Sequence, residues 1–394
     1  MTKTQSVRHT LSPMFRGALF YLFFFGSMAI FGPFINVYYI ELGLTGRQVG
    51  ILIAISPLVT LLFATPLSAL ADRRRWRGRI LQVALAGIAL TIFLLRFPRT
   101  FLTLVPLCVL MAIFSSPILS IADSLIARMA NRRGLNYGSM RLWGSMGFAS
   151  SALIFGALWQ RFGFAPMFVV GSLALVPVIW VAGLQEEGPI AQQRARPPIS
   201  DLTRDLGLVM ILVATFFVGI STSLAISFEG IYMRYLGGGQ LLIGAFISAS
   251  AFSEILTMRY GTRIAERLRG PRALLLSYGL MGIAFLGYVL VRTPWMLLLL
   301  AGVKGLGFGL FFTNTVHTIN LRAPVEWAST AQSLMTVGMF GLAPLIAGPL
   351  GGVIYDTLGP SVIFIVGSVA LGLAALVLAF AALKGMMATV KCEA

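Results

Sequence analysis

Charge is scarce in this sequence. Only 11% of its 394 residues are Asp, Glu, Lys or Arg, where a soluble domain carries about 25%, and 58% are hydrophobic. That balance excludes a disordered chain, a nucleic-acid-binding domain of ordinary type and a water-soluble enzyme of this size. Cysteine and histidine are nearly missing, with two of each. Cys108 lies in an apolar run and Cys392 in the tail, too far apart in sequence for a disulfide framework or a metal-ligand spacing. The glycine run Gly305, Gly307, Gly309 follows no strand and ends in no Gly-Lys-Ser/Thr, so it is not a nucleotide loop. No cofactor is expected, and any energy the chain uses must come from a gradient rather than from ATP.

What is present is a succession of long apolar runs. Twelve spans are expected near 17–40, 46–70, 79–95, 101–127, 139–160, 165–184, 207–232, 240–262, 273–291, 295–321, 328–354 and 361–383. Each should be a helix, because a lone strand cannot satisfy its backbone in lipid. The first run is too long for the core of a signal peptide and is expected to stay as the first span. Basic residues outnumber acidic ones by 30 to 13, a formal charge of +17, but they cluster between the apolar runs. The excess therefore reads as membrane topology and contact with anionic lipid rather than as a nucleic-acid surface. With twelve spans both termini share a side, which collects 22 of the basic residues against six opposite. Both termini are expected in the cytoplasm, with the chain in the inner membrane.

The longest polar interruption is Gln185 to Leu206, where Pro197-Pro198 disfavours a continuous helix and Ser200 or Asp201 offers a cap for the seventh span. It divides the chain into 1–184, a linker 185–206 and 207–394. A repeat supports this division. Asp72-Arg73-Arg74-Arg75-Trp76-Arg77-Gly78-Arg79 follows the second span, and Glu266-Arg267-Leu268-Arg269-Gly270-Pro271-Arg272 follows the eighth. The expected fold is an all-α membrane protein with twelve transmembrane helices in two pseudo-symmetric six-helix bundles.

The stretch from Ser68 through Asp72-Arg73 to Gly78-Arg79 resembles the loop signature of the major facilitator superfamily. Phe20 to Gly26 with Gly32-Pro33-Phe34, and Tyr137 to Phe148, resemble the branch of lactose permease and phenylpropionate permease, most closely over residues 15–150. The resemblance implies a secondary transporter that moves a small organic solute by alternating access, with a proton as partner in symport. It makes Asp72, Arg73, Gly78 and Arg79 a gating loop. A monomer is expected. Proton-coupled efflux is the alternative within transporters, since the loop signature also occurs in exporters.

Charges inside spans are costly and usually face a cavity or a partner. Asp123 on the fourth span shares a helical face with Ser116, Ser120 and Ser124, and Arg141 lies early on the fifth. Antiparallel neighbours are expected to bring the two charges together. By resemblance to lactose permease, Asp123, Arg141 and Phe148 stand where an acid, an Arg and a stacking aromatic bind sugar, with Phe148 in place of a Trp. The alternative is an ion pair that only fixes helix register.

In the second half, Glu254 lies at mid-span, and burial disfavours the charged form of a carboxylate, which suits a proton carrier. Lys304 lies on the tenth span in an expected stripe with Phe308, Phe311, Thr315 and Thr318. Glu229, near the outer end of the seventh span, is balanced between a cavity role and a solvated end. Asp123, Arg141, Phe148, Lys304 and Glu229 are the expected solute contacts, and Glu254 the coupling group. The two buried cations hint at an anionic or a polar hydroxylated solute. His317, near Asn314 and Asn320, reads as a helix–helix hydrogen bond ahead of a proton relay. A polytopic membrane enzyme is the rival from another class, but its usual clustered Asp, His or Cys are replaced here by scattered single acids.

Overall fold

A computed structural model describes residues 12–74, 76–185, 204–268 and 271–387. Pro197-Pro198, Ser200, Asp201 and Cys392 lie outside these residues, and so do the side chains of Asp72 and Glu266. Every expected span is helical. In chain order the helices are α1 (Pro13–Glu41), α2 (Gly46–Arg74), α3 (Arg77–Leu94), α4 (Phe101–Arg133), α5 (Tyr137–Phe162), α6 (Met167–Gly183), α7 (Leu206–Tyr235), α8 (Gln240–Leu268), α9 (Pro271–Leu290), α10 (Met296–Arg322), α11 (Ala328–Leu358) and α12 (Pro360–Leu383). Eleven are long and apolar enough to cross a membrane, and α6 is a shorter apolar helix of 17 residues.

Short-range chemistry sets the ends. Ser12, Asn136 and Asp205 each accept a hydrogen bond from a backbone N–H in the first turn of α1, α5 and α7, satisfying a donor the helix cannot. The cap of α7 is thus Asp205. The α4 helix runs to Arg133, past the expected end at 127, and stops at Gly134, whose φ of +63° is a left-handed cap that a side chain disfavours. Pro117 breaks α4 into Phe101–Ser115 and Ile118–Arg133, because proline has no N–H for the ladder. In α11 a π-helical stretch, Val337–Leu342, precedes Pro344. The stretch read as a gating loop is almost wholly helical: α2 continues to Arg74 and α3 begins at Arg77.

The chain forms two compact units. The first contains α1, α2 from Ile55 onward, α3 to α6, and Gly239–Ser248 at the start of α8. The second contains Thr45–Ala54, α7, the rest of α8, and α9 to α12. The units differ from halves cut at the linker by those two exchanged stretches. Within the first unit α1 packs on α5 and α6, and α3 on α4 and α6; within the second, α7 packs on α11 and α12, and α9 on α10 and α12. The same pairing scheme in both units is the structural form of the sequence repeat.

The exchanged stretches pack through missing side chains. In the second unit Gly46 and Gly50 lie against the backbone of Gly352 and Gly348. There the Asp356 carboxylate accepts from the amides of Gly46, at 2.7 Å, and Arg47, at 2.9 Å. In the first unit Gly244 meets Gly156, and the Ser248 hydroxyl donates to the Ala149 carbonyl at 2.6 Å. The glycine–proline run at 348–352 is therefore a close crossing, as small residues permit.

Candidate functional site

The first unit gathers one polar cluster around Tyr21 of α1. The Tyr21 hydroxyl donates to Asp123 Oδ1 at 2.6 Å and lies 3.0 Å from the Tyr137 hydroxyl. Arg141 of α5 does not pair with Asp123. Its guanidinium carbon sits 5.0 Å from the centre of the Tyr21 ring and 4.3 Å from that of Phe25. Among the described residues no ion pair joins Asp123 to Arg141, so the expected meeting of the two charges gives way to an aromatic ring between them. The physical reason is α1, which inserts a tyrosine beside both α4 and α5.

The serines expected on the face of Asp123 disperse to different neighbours. Ser120 hydrogen-bonds Ser68 of α2 at 2.7 Å, Ser124 accepts from Arg77 of α3 at 2.9 Å, and Ser116 donates to the Ile113 carbonyl one turn back. The break at Pro117 separates Ser116 from the turn that carries the others. Phe148 is half-buried on α5, two turns beyond Arg141.

In the second unit Glu229 of α7 and Lys304 of α10 form a two-pronged ion pair. The Lys304 ammonium donates to both carboxylate oxygens at 2.8 Å, and the side chains are 12% and 7% exposed for Lys304 and Glu229. Glu229 is thus buried on a cation. Glu254 of α8 lies beside the pair. The backbone of Ser250 touches Gly305 and that of Glu254 touches Gly309, which draws α8 against α10. Glu254 thereby comes close enough to Lys304 for the two charges to interact. Its own carboxyl has no hydrogen bond among the described residues.

The expected stripe on α10 divides. Lys304 and Phe308 are half-buried, whereas Phe311 and Thr315 are fully buried, with the Phe311 ring 6.0 Å from that of Tyr278 on α9. Asn320 pairs with Gln332 of α11, and Asn314 is buried away from it, so the second polar site imagined around His317 is dispersed. Of the gating residues, Arg73 and Arg79 are exposed and Gly78 is half-buried in the first turn of α3.

Sequence reasoning passed over Tyr21, Tyr137 and Arg77. Tyr21 carried a signal, being the one hydroxyl in the aromatic run Phe20 to Phe25. Arg77 was read only as one basic residue of the segment after the second span, yet it is buried and holds Ser124.

Comparison with known proteins agrees with this architecture. The sequence model described as the MFS_1 like family matches residues 15–366. The chain is 29% identical over 354 residues to a maltose permease of Geobacillus stearothermophilus, covering 89% of each chain. It is 23% identical over 365 residues to a probable 3-phenylpropionic acid transporter of Escherichia coli (strain K12), covering 90% of this chain and 94% of that one. The crystal structure of nucleoside transporter NupG superposes with a TM-score of 0.77 over 97% of this chain and all of that one, at 14% identity, a likeness of fold alone.

Proposed function

The chain belongs to the MFS_1 like family of the major facilitator superfamily and is a multi-pass membrane transporter rather than an enzyme, and from that premise we propose that it carries a small neutral, hydroxylated solute of the sugar class together with a proton, by alternating access, across the inner membrane. The observation that carries the choice of solute is the Lys304–Glu229 pair. Two buried cations would favour an anion. One of them is already neutralised by a two-pronged carboxylate, and the other, Arg141, is balanced by Asp123 across Tyr21. The charges of each of these two pairs then sum close to zero, and a full charge on the solute would enter uncompensated, at high cost away from water. A hydroxylated solute instead offers donors to Asp123 and acceptors to Arg141 without bringing charge. The relative named as a maltose permease supports this class.

In this reading Asp123, Arg141 and Phe148 are solute contacts of the first unit, and Lys304 and Glu229 are solute contacts of the second. Glu254, half-buried beside Lys304 and without a hydrogen-bond partner among the described residues, takes up and releases the proton. The segment Asp72, Arg73, Gly78 and Arg79 gates the cytoplasmic side, and the basic bias places both termini in the cytoplasm.

The experiment is a thermal-shift panel on purified protein with maltose, a nucleoside and 3-phenylpropionate, followed by uptake into vesicles with an imposed pH gradient. Maltose or a close disaccharide should stabilise the protein, and Asp123→Asn should remove that shift. Glu254→Gln should abolish gradient-driven uptake while sparing counterflow exchange. Stabilisation by 3-phenylpropionate alone would overturn the neutral-solute reading. Driven uptake at the wild-type rate in Glu254→Gln would remove Glu254 from coupling, and accumulation only in inside-out vesicles would make the direction export.

A further inference from the structure

We propose that Tyr21 is the positioning residue of the solute site in the first unit: its hydroxyl holds Asp123 while its ring holds Arg141, so that the two charges stay apart and each remains open to a solute. This rests on the reading of Asp123 and Arg141 as solute contacts.

An acid and an arginine on adjacent α4 and α5, both half-buried, attract one another by more than thermal energy when they come into contact. Left to themselves they would close into a forked, charge-assisted pair, which uses the acceptors of one and the donors of the other. A closed pair has little left with which to recognise a hydroxyl.

The structure shows the pair open, and it shows what holds it open. Tyr21 is fully buried, with a relative exposure of 0%. Its ring is fixed edge-on against Phe20 at 5.8 Å and Tyr137 at 6.2 Å, and it stacks on Phe25 at 6.3 Å. The hydroxyl has one proton. That proton goes to Asp123 at 2.6 Å, and the Tyr137 hydroxyl lies 3.0 Å from that of Tyr21. One oxygen of Asp123 is thereby engaged by Tyr21. On the other side the Arg141 guanidinium faces the rings of Tyr21 and Phe25. Attraction to a ring face holds a cation without assigning its N–H donors to an acceptor. A buried aromatic with a polar tip is the side-chain type that does both jobs at once. Phenylalanine would hold only the arginine, and serine only the acid.

The test needs no solute. The coupling between Asp123→Asn and Arg141→Gln is read from a double-mutant cycle on unfolding in detergent, in the wild-type and Tyr21→Phe backgrounds. With Tyr21 present, the two changes should be nearly independent, shifting the unfolding equilibrium by less than about threefold beyond the product of the single effects. In Tyr21→Phe the charges are free to meet, and the coupling should rise to about tenfold or more. Equal coupling in both backgrounds, large or small, overturns the proposal. Should Tyr21→Phe fail to fold, the same cycle in Tyr21→Leu, which removes both the hydroxyl on Asp123 and the ring on Arg141, should show the rise. Unchanged coupling there overturns the proposal as well. With maltose as probe, Tyr21→Phe should raise the concentration that half-protects the protein by about tenfold, the loss of one charge-linked contact. If the cycle behaves as expected and maltose protects neither protein, the positioning role stands and the choice of solute falls.

Discussion

Replacing Glu229 with Gln tests the ion pair on which the choice of solute depends. The change keeps size and shape but leaves the Lys304 ammonium, 12% exposed, facing a neutral amide instead of two oxygens at 2.8 Å. Removing one partner of a fully buried pair costs about 3–5 kcal/mol. Two features reduce it. Lys304 keeps some contact with solvent, and Glu254 lies close enough to interact with it. The expected loss for Glu229→Gln is therefore about 2–3 kcal/mol, below the fully buried range. Lys304→Met should cost a similar amount, since it leaves the buried Glu229 carboxylate without its cation. The double change Glu229→Gln with Lys304→Met removes both charges and should return to within about 1 kcal/mol of wild type.

Cys108 supplies the assay. It is a free, buried thiol in the first segment of α4, Phe101–Ser115, hydrogen-bonded with the Tyr39 hydroxyl at 3.5 Å. In a Cys392→Ser background a thiol-reactive fluorophore reports unfolding through this one residue. A loss below about 0.5 kcal/mol in Glu229→Gln would mean that the pair behaves as an exposed one. A double mutant as unstable as the sum of the singles would equally refute the reasoning, since the cost would then lie in packing rather than in a stranded charge.

Two further outcomes test the topology and the gate. If both termini are cytoplasmic, an impermeant thiol reagent should leave Cys392 unlabelled in intact cells, and rapid labelling would reverse the orientation. If the segment at Asp72 gates the cytoplasmic side, Asp72→Asn should lower the transport rate more than it lowers solute binding. Equal loss of both would instead place Asp72 in the binding site or in general stability.

The division between what the sequence determined and what the tertiary structure decided tracks the range of the forces involved. Twelve helices were legible because each span must satisfy its own backbone in lipid, so length and apolarity suffice. The repeat after α2 and α8 was legible for a similar reason, since charges and glycine mark where a helix leaves the membrane. So was the short set of ionisable residues worth attention, because a charge in a span is conspicuous. Partners were another matter. Asp123 and Arg141 sit on neighbouring helices and were expected to meet, yet a tyrosine about a hundred residues earlier stands between them. Glu229 and Lys304, 75 residues apart, were read separately and proved to be one pair. Helical periodicity tells which face a residue occupies but not which helix lies opposite that face. Close approach through Gly305 and Gly309 brought Glu254 beside Lys304, and only the packing of α8 on α10 could reveal it. A missing side chain acts through what fills its space, and that is set by the neighbouring helix.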